Sequence, residues 1–394
     1  MATSVIAPVA DNPERTLVAA RLDALTVRNF RNIEHAELRV AADGIVVVGE
    51  NGHGKSNLVE SIAYLRLMRS QRGARDRDLI RHGAPAFHVS AELSGVTANR
   101  ATAAVDKQGR KKITLDGGEP EKLTDALDTL PSVSFSPRDV DLVAGAPAER
   151  RRYLDITLAL TSRTYLNALR HYRAALARRN AALREASRAT RRDQAAALAA
   201  VAVWEPALAE HGAVMVTQRR EWVTARGPAF ARDCMTIGER GIPTLRYASA
   251  LAETRDVRSA LREQLERQRD HDVRRGLTQS GPHRDDLALE LDDHELRGVG
   301  SAGQQRTAAI VLRLLEAATH RDANGVTPLL LLDDPFAELD RRRTGRILAL
   351  LDEVGTGQCV LCVPREDEIP AQYTRLARWH VRDGAFVLAD GAPS

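Results

Sequence analysis

Apolar and polar positions alternate along "LDALTVRNFRNIEHAELRVAADGIVVVGENG", residues 22–52, in a way that predicts two strands and a turn at Asp43-Gly44. A fully apolar strand then runs into a glycine-rich loop. From Asn57 to Met68 the period lengthens to that of a helix, with Leu58, Ile62 and Leu65 on one face. Residues 87–118 return to alternation and predict antiparallel hairpins with a turn near Gln108-Gly109. From about residue 147 to about residue 272 the chain is rich in Ala, Arg, Leu and Glu at helical spacing. Leu169, Leu176 and Leu183 recur every seven residues, flanked by Tyr165 and Tyr172, and the polar break "RATRRD" ends that helix. This predicts a compact helical hairpin, because a long coiled-coil arm needs many more heptads. A strand at "SGPHRDDLALELDD", a helix from Gln304 to Thr319 and a buried strand in "VTPLLLLDDPFAELD" follow. The expected architecture is α/β: a mixed-sheet domain interrupted by a helical insertion, without internal repeats. Its expected parts are an extension at 1–24, sheet domain at 25–130, helical lobe at 131–277 and the rest of the sheet domain at 278–394.

Composition fits a soluble two-domain protein, with 43% hydrophobic and 28% charged residues in 394. No apolar run is long enough to span a bilayer. Pro8, Asp11 and Pro13 interrupt the apolar start, which reads as a flexible extension of a cytoplasmic protein, not a signal peptide. The net charge of +4 permits nucleic-acid binding without requiring it. Lysine occurs only at 55, 107, 111, 112 and 122, yet the glycine-rich loop keeps one. A slim ammonium fits between phosphate oxygens where a planar guanidinium collides. Cys359 and Cys362 spell C-x-x-C, but on an apolar strand they face opposite ways and read as core thiols.

Three segments carry candidate chemistry. In "GENGHGKSN", Gly49, Glu50, Asn51, Gly52, His53, Gly54, Lys55, Ser56 and Asn57 form a loop whose backbone N–H groups cradle phosphates. Lys55 neutralises the outer phosphates, the Ser56 hydroxyl suits magnesium, and the following helix directs its N-terminal dipole at the anion. In "LLLLDDPFAELD", Asp333 and Asp334 stand at the end of a buried strand. Asp333 suits Mg2+, and Asp334 suits a base for the attacking water; capping the strand in solvent is the plainer role for such a pair. In "GSAGQQRT", Ser301, Gly303 and Gln304 precede a long amphipathic helix 32 residues before Asp333. That suits either an anion-binding helix start or an ordinary serine cap.

Together the three segments resemble the ABC-type ATPases, in which the Ser-x-Gly-Gln signature of one subunit meets nucleotide held by the glycine loop of another. The 246 residues between Lys55 and Ser301 look like the chromosome-maintenance and repair branch. The boxes "LTVRNFRN", "RSQRGARDRDLIRHG", "VSFSPRDVDLVAGAPAERRRYLD" and "SGPHRDDLALEL" are similar to those of the RecF family of bacterial recombination mediators. The resemblance implies an ABC-ATPase-like head with a helical lobe II, using ATP and Mg2+ and dimerising on ATP. It implies binding to single-strand/double-strand DNA junctions and action with RecR and RecO, and through them RecA, in gap repair, replication restart and the SOS response. It also implies that Arg31 approaches the nucleotide and that hydrolysis is a slow switch without nuclease activity. Arg138 stands where the family usually has an acid, which bears on how that loop senses nucleotide; Val363-Pro364 stand where the family usually has hydroxyl residues, which bears on hydrolysis more than on binding. Pro335 also departs. A transporter's energy-coupling subunit, a diverged SMC-like maintenance ATPase and an ATPase with an appended nuclease domain are the alternatives.

For DNA, Lys107, Arg110, Lys111 and Lys112 on the hairpin are phosphate-contact candidates, with a solvated ribbon as the plainer reading. The arginines at 69, 72, 75, 77 and 81 are a second set. His283, Asp285 and Asp286 read as a hydrogen-bonded turn, not a metal site.

Overall fold

The computed structural model describes residues 18–336, 339–353 and 357–389. Strands β1 (Arg21–Phe30) and β2 (Ile33–Arg39) are the two expected strands and pair antiparallel, and β3 (Gly44–Val48) is buried throughout. The loop after β3 leads into helix α1 (Lys55–Leu67). Strands β4 (Ala86–Ser94), β5 (Arg100–Asp106) and β6 (Lys111–Leu115) complete a five-stranded sheet in the order β2-β1-β4-β5-β6. Strand β7 (Ser132–Phe135) follows. The expected extension at 1–24 differs in its described part. Ala20 and Leu22 are fully buried, and the Leu22 N–H donates to Gln358 Oε1 at 2.7 Å, so β1 begins inside it. Residues 1–17 lie outside the described residues.

The helical part holds α2 (Pro147–Thr161), α3 (Arg163–Ala186), α4 (Gln194–Ala202), α5 (Glu205–Ile237), strand β8 (Pro243–Ala248), α6 (Val257–Arg275) and strand β9 (Asp286–Leu291). The polar break falls between α3 and α4, and α3, α5 and α6 pack as a short bundle. Leu169, Leu183, Tyr165 and Tyr172 are buried as their spacing implies. So is Arg179, which pairs with Asp272 at 2.8 Å and Glu205 at 3.0 Å in the bundle core. Among the described residues the longest helix has 33 residues, and none makes a long coiled-coil arm.

Helix α7 (Ala302–Asn324) leads back to strand β10 (Leu329–Asp333), helix α8 (Arg341–Glu353) and strands β11 (Cys359–Val363), β12 (Ala377–Arg382) and β13 (Ala385–Leu388). These join β3 and β7 in a six-stranded sheet ordered β13-β12-β3-β11-β10-β7, parallel except for β13. Helix α1 packs against strands of both sheets, so eleven of its thirteen residues are buried. A single apolar face was expected; two flanking sheets leave it almost no exposed side.

The chain divides into two compact units, residues up to Asp139 together with those from Arg313, and Val140–Leu312. These bounds differ from the expected 131 and 277. Strand β9 pairs with β8, and Arg150 on α2 holds Asp286 at 2.7 Å, which draws the GPHRDD segment and the start of α7 into the helical unit.

Candidate phosphate-binding site

In a parallel sheet, ligands gather at the carboxyl ends of the strands. Here the loop after β3, Asp333 at the end of β10 and residues 136–138 after β7 share that edge. Gly52 and Gly54 have φ of 89° and 120°, where a side chain is strained. Gly49 is needed for another reason: a Cβ there would lie 2.5 Å from the Val381 carbonyl oxygen. Gly54 caps α1 without a side-chain acceptor, which leaves the helix start to an external anion. Lys55 is 4% exposed, and its ammonium donates to the Gly49 carbonyl, to Glu50 O at 3.0 Å and to Asn51 Oδ1 at 3.4 Å. His53 ties the loop to the β12–β13 turn. Its carbonyl accepts the Gly384 N–H at 2.9 Å, and its Nδ1 accepts the Asp383 N–H at 3.0 Å.

Ser56 lies in the first turn of α1 and its hydroxyl donates to Asp333 Oδ1 at 2.9 Å, although 277 residues separate them. Burial raises the Asp333 pKa, and Ser56, Arg72 and Lys55 pull it back down. A hydroxyl and a buried carboxylate side by side, under a loop of convergent N–H groups, fit a hard divalent cation beside phosphate. Asp334 follows at φ 49°, half-buried, its N–H donating to Cys362 O at 3.0 Å.

Beside this edge lies an open cavity of about 1060 Å³, lined by Arg31, Asn32, Asn57, Arg72, Arg81 and Arg138 among others. Arg31, in the β1–β2 turn, forms a fork with Glu60 of α1 at 3.1 and 3.3 Å. Asn57 donates to Asn32 Oδ1 at 2.8 Å, and Asn32 reaches the Gly52 carbonyl at 3.4 Å. Sequence reasoning missed Glu60 and Asn32 here. It placed Arg72 in a DNA-contact set, whereas Arg72 lies 3.6 Å from both Glu60 and Asp333 and donates to Ser56 O at 2.8 Å. Glu60 lies four residues after Ser56, one helical turn on, which was the available signal.

In the helical unit, Ser301 and Gln304 cap α7 reciprocally. The Ser301 N–H donates to Gln304 Oε1 at 2.8 Å, and the Gln304 N–H to Ser301 Oγ at 3.3 Å. Ser301 is exposed and Gly303 half-buried. The hairpin cations lie close to acids. Arg110 pairs with Asp106 at 2.5 Å and Lys112 with Glu119 at 3.7 Å. Lys111 turns inward onto Asp76 at 2.6 Å and the Met68 carbonyl, which leaves Lys107 alone without such a partner. Asp106 and Glu119 of the hairpin region, and Asp76 from outside it, therefore offset much of its charge. His283 Nε2 donates to Thr278 O at 3.0 Å and its Nδ1 accepts from the Tyr172 hydroxyl at 2.7 Å, the hydrogen-bonded turn expected. Cys359 and Cys362 are buried thiols on β11, and burial pushes Cys359 up to about 12. Among the described residues no three His, Cys, Asp or Glu form a metal cluster.

With this geometry in place, likeness to known proteins assigns the family. The RecF/RecN/SMC N terminal domain family matches residues 21–384. The DNA replication and repair protein RecF of Salinibacter ruber is 35% identical over 87% of this chain and 85% of its own. That of Magnetococcus marinus is 35% identical over 95% and 99%. The chain belongs to the RecF family. Among solved structures, the recombination mediator protein RecF-ATP of the RecFOR pathway superposes with a TM-score of 0.85 at 24% identity, covering 95% of this chain and 99% of that one. A Pyrococcus furiosus Smc head domain, bound to the C-terminal domain of ScpA, gives 0.56 at 16%, over 94% and 96%. The fold is therefore the ABC-ATPase-like head expected from the motifs. No described helix is long and apolar enough to cross a membrane.

Proposed function

We propose that this RecF-family chain binds ATP with Mg2+, dimerises on it and engages DNA at single-strand/double-strand junctions, with hydrolysis as the timer of release. The observation that carries the nucleotide reading is the Ser56–Asp333 hydrogen bond at the foot of the glycine loop. Backbone N–H groups of the loop and the Lys55 ammonium hold the phosphates. Ser56 and Asp333 hold Mg2+, which when bound neutralises charge on the phosphate oxygens. Asp334 takes the proton of a water that attacks the terminal phosphorus as ADP leaves. Arg31 lines the cavity where the rest of the nucleotide lies. Ser301, Gly303 and Gln304 supply the signature, which in this fold meets nucleotide held by a second copy. RecR and RecO as partners, and RecA loading during gap repair and SOS induction, come from the family alone.

The test is sedimentation with ATP and Mg2+, with gapped DNA in a second series. Lys55→Ala is expected to lose nucleotide binding, and Asp334→Asn to keep it while dimer accumulates. Single chains throughout, in saturating ATP with hydrolysis blocked and DNA present, would overturn the reading. Hydrolysis by Asp334→Asn at the wild-type rate would overturn the assignment of the base.

A further inference from the structure

Where the hairpin's cations are met by carboxylates, one end of the helical bundle carries cations with none. Helix α3 ends in Arg184 and continues through Arg188, Arg191 and Arg192; helix α6 ends in Arg274 and Arg275. A small core of Leu183, Ala186, Val201 and Val273 joins the ends of α3, α4 and α6. Arg184 lies against Gly276, where an added Cβ would meet its Cγ at 3.3 Å, so the two arginine groups meet at one end of the bundle. All six side chains are exposed, and none forms an ion pair or side-chain hydrogen bond among the described residues.

The acids nearby offset them only in part. Asp272 is buried and committed to Arg179, and Asp193 accepts from the Thr190 hydroxyl at 2.6 Å. Glu185 and Asp193 remain exposed on that turn, as does Asp270 one turn before Arg274 on α6, so six guanidiniums face three exposed carboxylates and leave the surface net positive. The last carbonyls of α3 and α6 attract some of this positive charge, but a helix end is worth about half an elementary charge and acts within its last turn. Six guanidiniums exceed what two helix ends require. Trp204, the aromatic nearest in sequence to α4, is half-buried and stacked under Arg178 at 4.9 Å, so this surface offers no ring for a base. Guanidiniums without aromatics suit a phosphate backbone read by charge, without base sequence.

We propose that this end of the bundle is a docking surface for the phosphate backbone of duplex DNA, separate from the nucleotide site; the choice of DNA among polyanions rests on the function proposed above. Each neutralised phosphate contributes ~0.9 to the slope of log affinity against log salt. Binding should therefore be steeply salt-dependent and lose slope as arginines are removed.

The experiment measures anisotropy of a labelled duplex against salt, with ATP present, for four proteins. They are the wild type, Arg184→Ala/Arg188→Ala/Arg191→Ala/Arg192→Ala, the same four positions as lysine, and Lys107→Ala/Lys112→Ala on the hairpin. The alanine variant is expected to bind about ten-fold or more weakly at moderate salt, with a slope lower by about 2 to 4. The lysine variant should keep most of the slope, and both should bind ATP as the wild type does. Wild-type DNA affinity and slope in the alanine variant would overturn the docking surface alone. An equal loss per charge on the hairpin would overturn its localisation. Absence of duplex binding by the wild type would overturn both this surface and the DNA function on which it rests.

Discussion

Arg138 is the arginine lining the cavity beside the glycine loop that has no partner among the described residues; Arg31 is held by Glu60, Arg72 by Glu60 and Asp333, and Arg81 by Glu34 at 2.9 Å. Its neighbour anchors the turn: Asp139 accepts the Ser136 N–H at 2.6 Å and pairs with Arg313 at 2.7 Å. Arg138 is thus a free charge on a fixed mount, at the strand edge that carries Asp333. Arg138→Glu is expected to weaken ATP binding about ten-fold, equivalent to ~1.4 kcal/mol, measured by calorimetry in Mg2+. Unchanged affinity would mean that the side chain does not face the nucleotide. Such residue-scale detail divides by sequence distance. The glycine loop was legible because its chemistry is contiguous, and its positive φ values can only be met cheaply by glycine. Glu60 and Arg72 were not, because their role is set by a turn that folds back over α1, and an arginine's partners are invisible in its own segment.

At the scale of elements, His283 joins helix α3 to the loop before β9 through Tyr172 and Thr278. Burial, reinforced by Arg284, Arg151 and Arg179, pushes its pKa down to about 4. The unfolded chain therefore binds more protons than the folded one between about 6.5 and about 4, and stability falls as pH falls through that window. His283→Gln should flatten this loss, which in the wild type is on the order of 3 kcal/mol for this group. Urea midpoints at pH 7 and pH 4.5 measure the difference, and parallel profiles would refute a buried neutral imidazole. Alternation and heptads made the strands and the α3 helix readable. They could not reveal that α1 is covered on nearly every side, since a pattern records how apolar a face is and not how many sheets press on it. Nor could they show that β9 belongs with the helical unit, because strand partners are chosen across the chain.

For the whole molecule, nucleotide bound to the folded state and not to the unfolded chain stabilises by about 2.7 kcal/mol at a hundred times Kd. Melting in ATP and Mg2+ should therefore rise by a few degrees in the wild type and remain in place in Lys55→Ala. Scanning fluorimetry with and without ATP measures it; an equal rise in both would place the stabilising nucleotide elsewhere.

The His53 clip reaches 330 positions along the chain. A ribosome adds roughly 5 to 20 residues per second, so the last turn that shapes the loop emerges roughly 15 to 65 s after the loop itself. Throughout that interval the nascent protein carries its lysine and glycines in the right order but lacks the braces that give them their form. Competence for ATP arrives late in synthesis, and a prematurely released fragment that stops short of Asp383 carries the motif without its mould.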